Sequence, residues 1–400
     1  MKLGILTYHA PYNFGANLQA YTTVLYLKSL GHDPKIIDYG RDATMRVYRA
    51  MVPKEQWEGH DVFVENKLPL TKSASNKQEL IDLVREERFD GIIVGADAVW
   101  SYSKRNKEMP VYFLDWLFNT SDISHIPAAT MSVANMSKGF KHLGQEEITQ
   151  LKDVITKFSY LTVRDNWTRR AVNKHIFGGK NIVDVLNPDP VFILKDLITD
   201  KFFTQGLISD IDKYLLFTLP KKTKQSQRWF NTFKKLANSA GYKVGELPLP
   251  EGKSGIEFDF SIPYPIDPIQ WYLWLVNSSG FIGLRFHAVV SCISAGVPFI
   301  SIDSYGCSAF IVKVIYRLGF YRLSRTFDSR SKIYQLLKHS KFKDNRVHGL
   351  NDLTGSNAEK KFNNFIETNC EDINILCQSL KSIYTKNMKN ILDVFEKSHL

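Results

Sequence analysis

The N-terminal segment commits the chain to a parallel sheet. A short apolar run from Leu3 to Thr7 reads as a strand, and a loop follows with Asn13-Phe14-Gly15-Ala16. Residues Asn17 to Leu30 then place Leu18, Tyr21, Leu25 and Leu30 on one side of a helix, Gly31 supplies its stop, and Lys35 to Tyr39 reads as a second strand. Strand, helix and strand in this order are how a layered α/β domain begins.

The alternation continues. Arg41 to Ser75 is polar and aperiodic and reads as a surface excursion near the strand ends. A helix from Lys77 to Glu87 leads into the buried strand Phe89-Asp90-Gly91-Ile92-Ile93-Val94, which ends in Gly95-Ala96-Asp97. Strands are expected at Ala128 to Val133, Tyr160 to Val163 and Ile182 to Val185, with helices at Gln145 to Phe158 and Asn166 to Val172. Asn187-Pro188-Asp189-Pro190 breaks the pattern, and a second alternation starts: strand Tyr214 to Thr218, helix Gln225 to Ala240, strand Tyr242 to Leu247. Pro263, Pro265 and Pro268 mark a loop before a helix from Ile269 to Val276. Four hundred residues at 44% hydrophobic exceed what one core usually holds, which is about 250 residues. The expected division is residues 1–190, residues 191–374, and a C-terminal amphipathic helix within 375–400. That helix carries Leu376, Leu380, Ile383, Ile391 and Phe395 on one side and is expected to dock against the protein.

Lysine and arginine number 52 against 41 acidic residues, giving +11. The excess is spread, with small clusters such as Lys221-Lys222-Thr223-Lys224, and suits anionic partners without choosing among them. No basic stripe interleaved with aromatics marks a nucleic-acid surface. Cys292, Cys307, Cys370 and Cys377 lack the spacing of a zinc site or a disulfide framework. The N-terminus is too short in apolar residues for a signal peptide, so a reducing cytoplasm is the expected home, with peripheral contact at the inner membrane face left open. Gly280 to Ile302 is apolar but contains Arg285 and His287, and Gly296 and Pro298 would break a spanning helix.

That run holds the segment with the most chemistry, Gly283-Leu284-Arg285-Phe286-His287, where a strand from Phe281 to Leu284 meets a helix from Ala288 to Ala295. An arginine and a histidine stand beside a helix N-terminus, whose unpaired N–H groups favour an anion. Arg285 offers a planar donor fork, and His287 can move a proton at neutral pH. A solvent-facing Arg285 with His287 capping the helix fits the same segment equally well.

Three other spots stand at strand ends, where open α/β sheets gather ligand-binding groups. Asp97 follows Val94-Gly95-Ala96, and as an aspartate it also suits a helix N-cap. Arg164 follows Tyr160-Leu161-Thr162-Val163, where a surface ion pair with Asp165 or a nearby acid is the plainer reading. Asn13 and Asn17 flank Gly15 at the first strand-to-helix turn, where backbone N–H groups can hold an anion.

Together these segments resemble the polysaccharide pyruvyl transferase family. The matching landmarks are Gly4-Ile5-Leu6-Thr7-Tyr8, Asn13 to Tyr21, Phe89 to Trp100, Thr162-Val163-Arg164-Asp165, Asn187-Pro188-Asp189-Pro190-Val191, Gly283 to Ala288 and Ala295 to Ile300. The resemblance implies two Rossmann-like domains facing across a cleft, as in B-type glycosyltransferases. It also implies transfer of a pyruvyl group from phosphoenolpyruvate to sugar hydroxyls as a cyclic ketal, on a saccharide acceptor that can be lipid-linked, with no metal or cofactor. By position, Arg164 and Arg285, with Phe286, would bind the donor, His287 would handle protons and Asp97 would serve the acceptor. Ala96 stands where many members have serine, Ala98 where many have glutamine, and Ser132-Val133-Ala134-Asn135 departs from the usual small-residue and serine pattern. These departures bear on the acceptor more than on the donor. A nucleotide-sugar glycosyltransferase and a non-catalytic glycan- or anion-binding relative remain as alternatives.

Overall fold

The computed structural model describes residues 1–102, 108–135, 139–198, 213–219, 224–303, 331–347 and 356–399. Cys307 and the cluster Lys221-Lys222-Thr223 lie outside the described residues. The chain divides into two compact units: residues 1–51, 60–193 and 380–400 form unit 1, and residues 52–59 and 194–379 form unit 2. The division falls three residues beyond Pro190, and each unit also takes a piece that sequence order alone assigned elsewhere.

Unit 1 is built on four parallel strands in the order β2-β1-β3-β4: β1 Lys2–Leu6, β2 Asp33–Ile36, β3 Gly91–Val94 and β4 Ala128–Thr130. Isolated bridges from Ala129 to Tyr160 and from Val133 to Val163 carry the order on to a small parallel pair, β5 Thr162–Val163 and β6 Val185–Leu186. The expected strand from Ala128 to Val133 stops at Thr130 because Ser132 turns the chain with a left-handed φ of 54°.

Helix α1, Phe14–Ser29, starts earlier than its apolar residues suggest, because Asn13 caps it: Gly15 N and Ala16 N donate to Asn13 Oδ1 at 3.0 and 3.4 Å. It is buried on nearly every side rather than on one apolar face. Its polar residues are accommodated by hydrogen bonds, such as Thr22 Oγ1 to the Leu18 carbonyl and Thr23 Oγ1 to the Gln19 carbonyl.

Residues expected to form an irregular excursion are helical, as α2 Arg41–Arg49 and α3 Lys54–Lys67. The buried stripe of α3 runs Gln56, His60, Phe63, Val64, a helical period hidden from a hydropathy reading because two members are polar. Phe14 stacks on the His60 ring with centroids 5.0 Å apart, and Gln56 pairs twice with the backbone of Ile266, a residue of its own unit. Helices α4 Lys77–Glu87, α5 Gln145–Thr156 and α6 Asn166–His175 lie where the pattern placed them.

Unit 2 holds six parallel strands in the order β12-β11-β10-β7-β8-β9. They are β7 Tyr214–Thr218, β8 Lys243–Glu246, β9 Phe260–Ser261, β10 Gly280–Gly283, β11 Phe299–Ile302 and β12 Arg346–Val347. Counted within the unit this is 3-2-1-4-5-6 read from the β9 edge, the doubly wound order. Its helices include α7 Lys224–Ser239, α8 Pro268–Val276, α9 Phe286–Ala295, α10 Lys332–Leu337 and α11 Ser356–Ile366. Phe217, Trp229, Phe230 and Phe233 are fully buried together, and each large side chain removed from water contributes roughly 1.5–3 kcal/mol. At Gly283 a Cβ would come within 2.5 Å of the Thr218 carbonyl oxygen, so only glycine lets β10 and β7 approach this closely.

The last helix, α12 Cys370–Lys397, begins before the expected Ile375 and spends its C-terminal part in unit 1. There its buried side is Tyr384, Met388, Ile391 and Phe395, whereas Ile383 is 41% exposed. The expected stripe through Ile383 is corrected by a register that favours Tyr384 and Met388, whose longer side chains reach the core. No helix among the described residues is long and apolar enough to cross a membrane.

Candidate active site

In a doubly wound sheet the strand order reverses at one gap, and helices leave the two flanking strands toward opposite faces, opening a crevice at their C-terminal ends. That gap lies between β1 and β3 in unit 1, and between β7 and β10 in unit 2. The residues singled out from sequence collect beside these two gaps. Of five non-glycine residues with positive φ among those described, three stand just past strand ends: Asp97 at 76°, Ser132 at 54° and Arg285 at 92°. Backbone held this way concentrates at functional sites.

In unit 1, Asp97 is not a helix cap. No helix begins at Asp97; it bridges Val133, and its carbonyl accepts from Ala134 N at 2.7 Å. Its carboxylate meets Arg164, whose Nη2 donates to Asp97 Oδ1 at 3.2 Å while Nη1 donates to Asp189 Oδ2 at 3.3 Å. The Arg164 side chain is 4% exposed. Burial works against its charge, but the two carboxylates outweigh burial and hold it ionised. The ion pair expected with Asp165 or a nearby acid is thus made with other acids and is buried rather than at the surface, and Asp165 caps α6 by accepting from Thr168 N at 2.7 Å. Arg164 therefore serves two carboxylates first, a different setting from the open anion clamp expected of it.

Asp189 is the hub that sequence reading missed. It is 1% exposed, accepts from Gln19 Nε2 as well as Arg164, and takes the Val191 N–H at 3.1 Å. Its signal was its place between two prolines, which read only as a break. Ser132 Oγ donates to the Pro188 carbonyl at 2.6 Å and fixes the same turn. Tyr8, just past β1, has its phenol pushed up to about 12 by burial and by the Asp97 charge.

The first strand-to-helix turn is closed to an anion by its own residues. Asn13 Oδ1 takes the N–H groups of Gly15 and Ala16, and Asn17 lies inside α1, fully buried, donating to the His9 carbonyl at 2.9 Å. His9 in turn contacts Asp38 Oδ1 through Nε2 at 2.8 Å. Asn13, Gly15 and Asn17 thus order the β1 end, because a capping asparagine occupies the donors a ligand would need.

In unit 2, Arg285 occupies the N-cap position of α9 and makes no side-chain cap, so the helix start carries no side-chain acceptor from that residue. Arg285 Nη2 donates to Glu251 Oε1 at 2.7 Å, and the two side chains are 40% and 46% exposed. His287 stands one residue inside the helix and is 9% exposed. Phe286, expected beside the donor, is 7% exposed, sets its ring edge against the His287 ring at 5.2 Å, and lies 5.8 Å from Lys332 Nζ. A solvent-reachable guanidinium, a nearly buried imidazole and a helix N-terminus therefore share one strand end. No group of three or more metal-ligating side chains occurs among the described residues, and Cys292, Cys370 and Cys377 form no disulfide.

The sequence profile of the polysaccharide pyruvyl transferases matches residues 13–305, which include Asp97, Arg164, Asp189, Arg285 and His287. The chain belongs to the polysaccharide pyruvyl transferase family. Membership makes the protein a transferase of polysaccharide biosynthesis. In fold it is similar to the UDP-GlcNAc 2-epimerase of Neisseria meningitidis, solved with UDP-GlcNAc bound, with a TM-score of 0.55 and 12% identity over 99% of this chain and 100% of that one. A putative UDP-N-acetylglucosamine 2-epimerase from Listeria monocytogenes gives a TM-score of 0.51 and 8% identity over 94% of this chain and 90% of that one. At such identity the likeness shows the fold alone, two Rossmann-like domains. No curated protein matches the chain significantly in sequence.

Proposed function

We propose that this family member transfers the pyruvyl group of phosphoenolpyruvate to two hydroxyls of a saccharide, forming a cyclic ketal and releasing phosphate. The observation that carries the reading is the strand end of unit 2. There Arg285, the start of α9 and His287 offer two kinds of anion donor and one proton carrier within three consecutive residues. A small donor bearing a carboxylate and a phosphate matches that set.

The chemistry asks for little more. A proton goes to the methylene carbon of the donor and makes it a methyl group, leaving an oxocarbenium-like carbon. One sugar hydroxyl adds there, the C–O bond to phosphate breaks, and the second hydroxyl closes the ring. One hydroxyl proton replaces the proton used on carbon and the other leaves with phosphate. An acid, a base and cationic stabilisation suffice for these steps, so neither a metal nor a redox cofactor enters the proposal. We assign proton transfer to His287, donor binding to Arg285 and the α9 start, and the acceptor hydroxyl to Asp97, with Arg164 holding Asp97 in place. The acceptor is a saccharide, free or lipid-linked, met by a protein acting in the cytoplasm or at the inner membrane face.

The test is phosphate release from phosphoenolpyruvate with galactose, mannose and glucosamine acceptors, with the new ketal methyl group observed by proton NMR. His287→Asn should keep donor affinity and lose about a hundredfold in turnover, the usual scale for a general acid or base. Thermal stabilisation by a nucleoside diphosphate without phosphate release would turn the assignment to a nucleotide-sugar transferase. Donor binding without turnover would make the protein a binding relative.

A further inference from the structure

We infer that the C-terminal helix supports the unit 1 site through Asn387, a positioning residue for Asp97. The inference rests on the acceptor role proposed for Asp97, but the helix it adds lies beyond residues 13–305, the segment that matches the family.

Arg164 follows β5, and Asn187 follows β6. These strands are two residues long and pair only with each other and through isolated bridges, too little to hold a rigid edge unaided. The support comes from α12. Asn387, 5% exposed, donates through Nδ2 to the Leu186 carbonyl at 3.1 Å and to Asn187 Oδ1 at 3.3 Å. The Asn187 amide nitrogen is buried with no partner among the described residues, so its side chain is held through that one oxygen. Asn387 is itself oriented from the other side: Tyr160 OH donates to its Oδ1 at 3.4 Å, and Asn390 Nδ2 donates to Tyr160 OH at 2.9 Å.

From Asn187 the chain runs through Pro188, whose carbonyl is held by Ser132, to Asp189, which holds Arg164, which holds Asp97. One helical turn earlier, Tyr384 OH contacts Met131 Sδ at 3.4 Å, beside Ser132, and the charge of Asp189 adds to the burial that keeps its phenol neutral. The helix therefore grips the turn at two points. A carboxylate that must meet a hydroxyl at hydrogen-bond range loses turnover when its support shifts by an ångström or so.

Three variants separate positioning from plain stability. Asn387→Leu keeps the volume and removes the donors. Tyr160→Phe removes the hydroxyl that orients Asn387. Phe395→Leu loosens α12 where its ring packs on Gly91, at the end of β3 away from Asp97. Expected are a roughly tenfold or larger fall in kcat for Asn387→Leu, a smaller fall for Tyr160→Phe, and unchanged KM for phosphoenolpyruvate in both. Phe395→Leu should lower Tm and keep the parental kcat. Hydrogen exchange of residues 185–191 should rise in Asn387→Leu and stay parental in Phe395→Leu. Parental kcat and exchange in Asn387→Leu would overturn the inference; if that variant does not fold, parental values in Tyr160→Phe would do so. A parent that releases no phosphate from phosphoenolpyruvate would instead sink the proposed function, and the exchange result would still judge the helix.

Discussion

The guanidinium of Arg164 lies between two carboxylates, 3.2 Å from Asp97 and 3.3 Å from Asp189, and the Asp97 end of this bridge stands at the mouth of the unit 1 crevice. One cation balances two anions in a nearly dry setting, so Arg164→Met should do more than weaken an anion site. It removes the cation shared by the buried Asp189 and the partly exposed Asp97 and should cost about 3–5 kcal/mol of stability, read by urea denaturation. A loss below about 1 kcal/mol would mean that Asp97 and Asp189 find other partners.

Asp97→Asn keeps the shape and removes one charge. Turnover at saturating donor should fall while donor affinity stays within about twofold, since donor binding is proposed for Arg285 and the α9 start. The same change should lower the Tyr8 phenol from its value of about 12, because one of its two main causes is gone, while burial keeps it above the ordinary 10. Ultraviolet titration of Asp97→Asn with and without Tyr8→Phe reads this directly. An unmoved titration would separate Tyr8 from the Asp97 charge.

At the other switch point, Glu251 competes for Arg285. The pair is exposed and worth little to stability, so Glu251→Gln should leave the unfolding free energy within about 0.5 kcal/mol. It should tighten phosphoenolpyruvate binding a few-fold by releasing the guanidinium. Arg285→Ala should weaken binding by about 1.5–3 kcal/mol, the range for a hydrogen bond to a charged group. Calorimetry that finds equal dissociation constants for parent and Arg285→Ala would remove the donor from this strand end.

Glu87 gives a pH test of the fold itself. Burial alone would raise its carboxyl, but Lys2 and Lys35, at 2.7 and 2.8 Å, outweigh burial and hold it below its ordinary 4.5. A carboxylate depressed in the folded state stabilises above its unfolded value, and the gain is lost as pH falls through the folded value. Glu87→Gln should therefore cost roughly 0.5–1.5 kcal/mol at neutral pH, and the gap to the parent should close well below pH 4.5. A constant gap across that range would contradict the pairing.

The apolar runs of β1, β3, β7 and β10, with the glycines that end β3 and β10, determined by themselves that the chain alternates strands and helices in parallel sheets. Short buried runs leave few other conformations. The motif around Arg285 and His287 was legible for the same reason, since strand, turn and helix start are all local. The α3 stripe was not, because Gln56 and His60 look solvent-facing until their partners are known. Tertiary structure alone decided that Arg164 is spent on Asp97 and Asp189, and that Asn387 reaches the turn at Asn187. These contacts join residues up to 201 positions apart, and no local pattern encodes which distant side chain satisfies a buried charge or carbonyl. The sheet order brings them together, and the cost of leaving them unpaired then selects the partners.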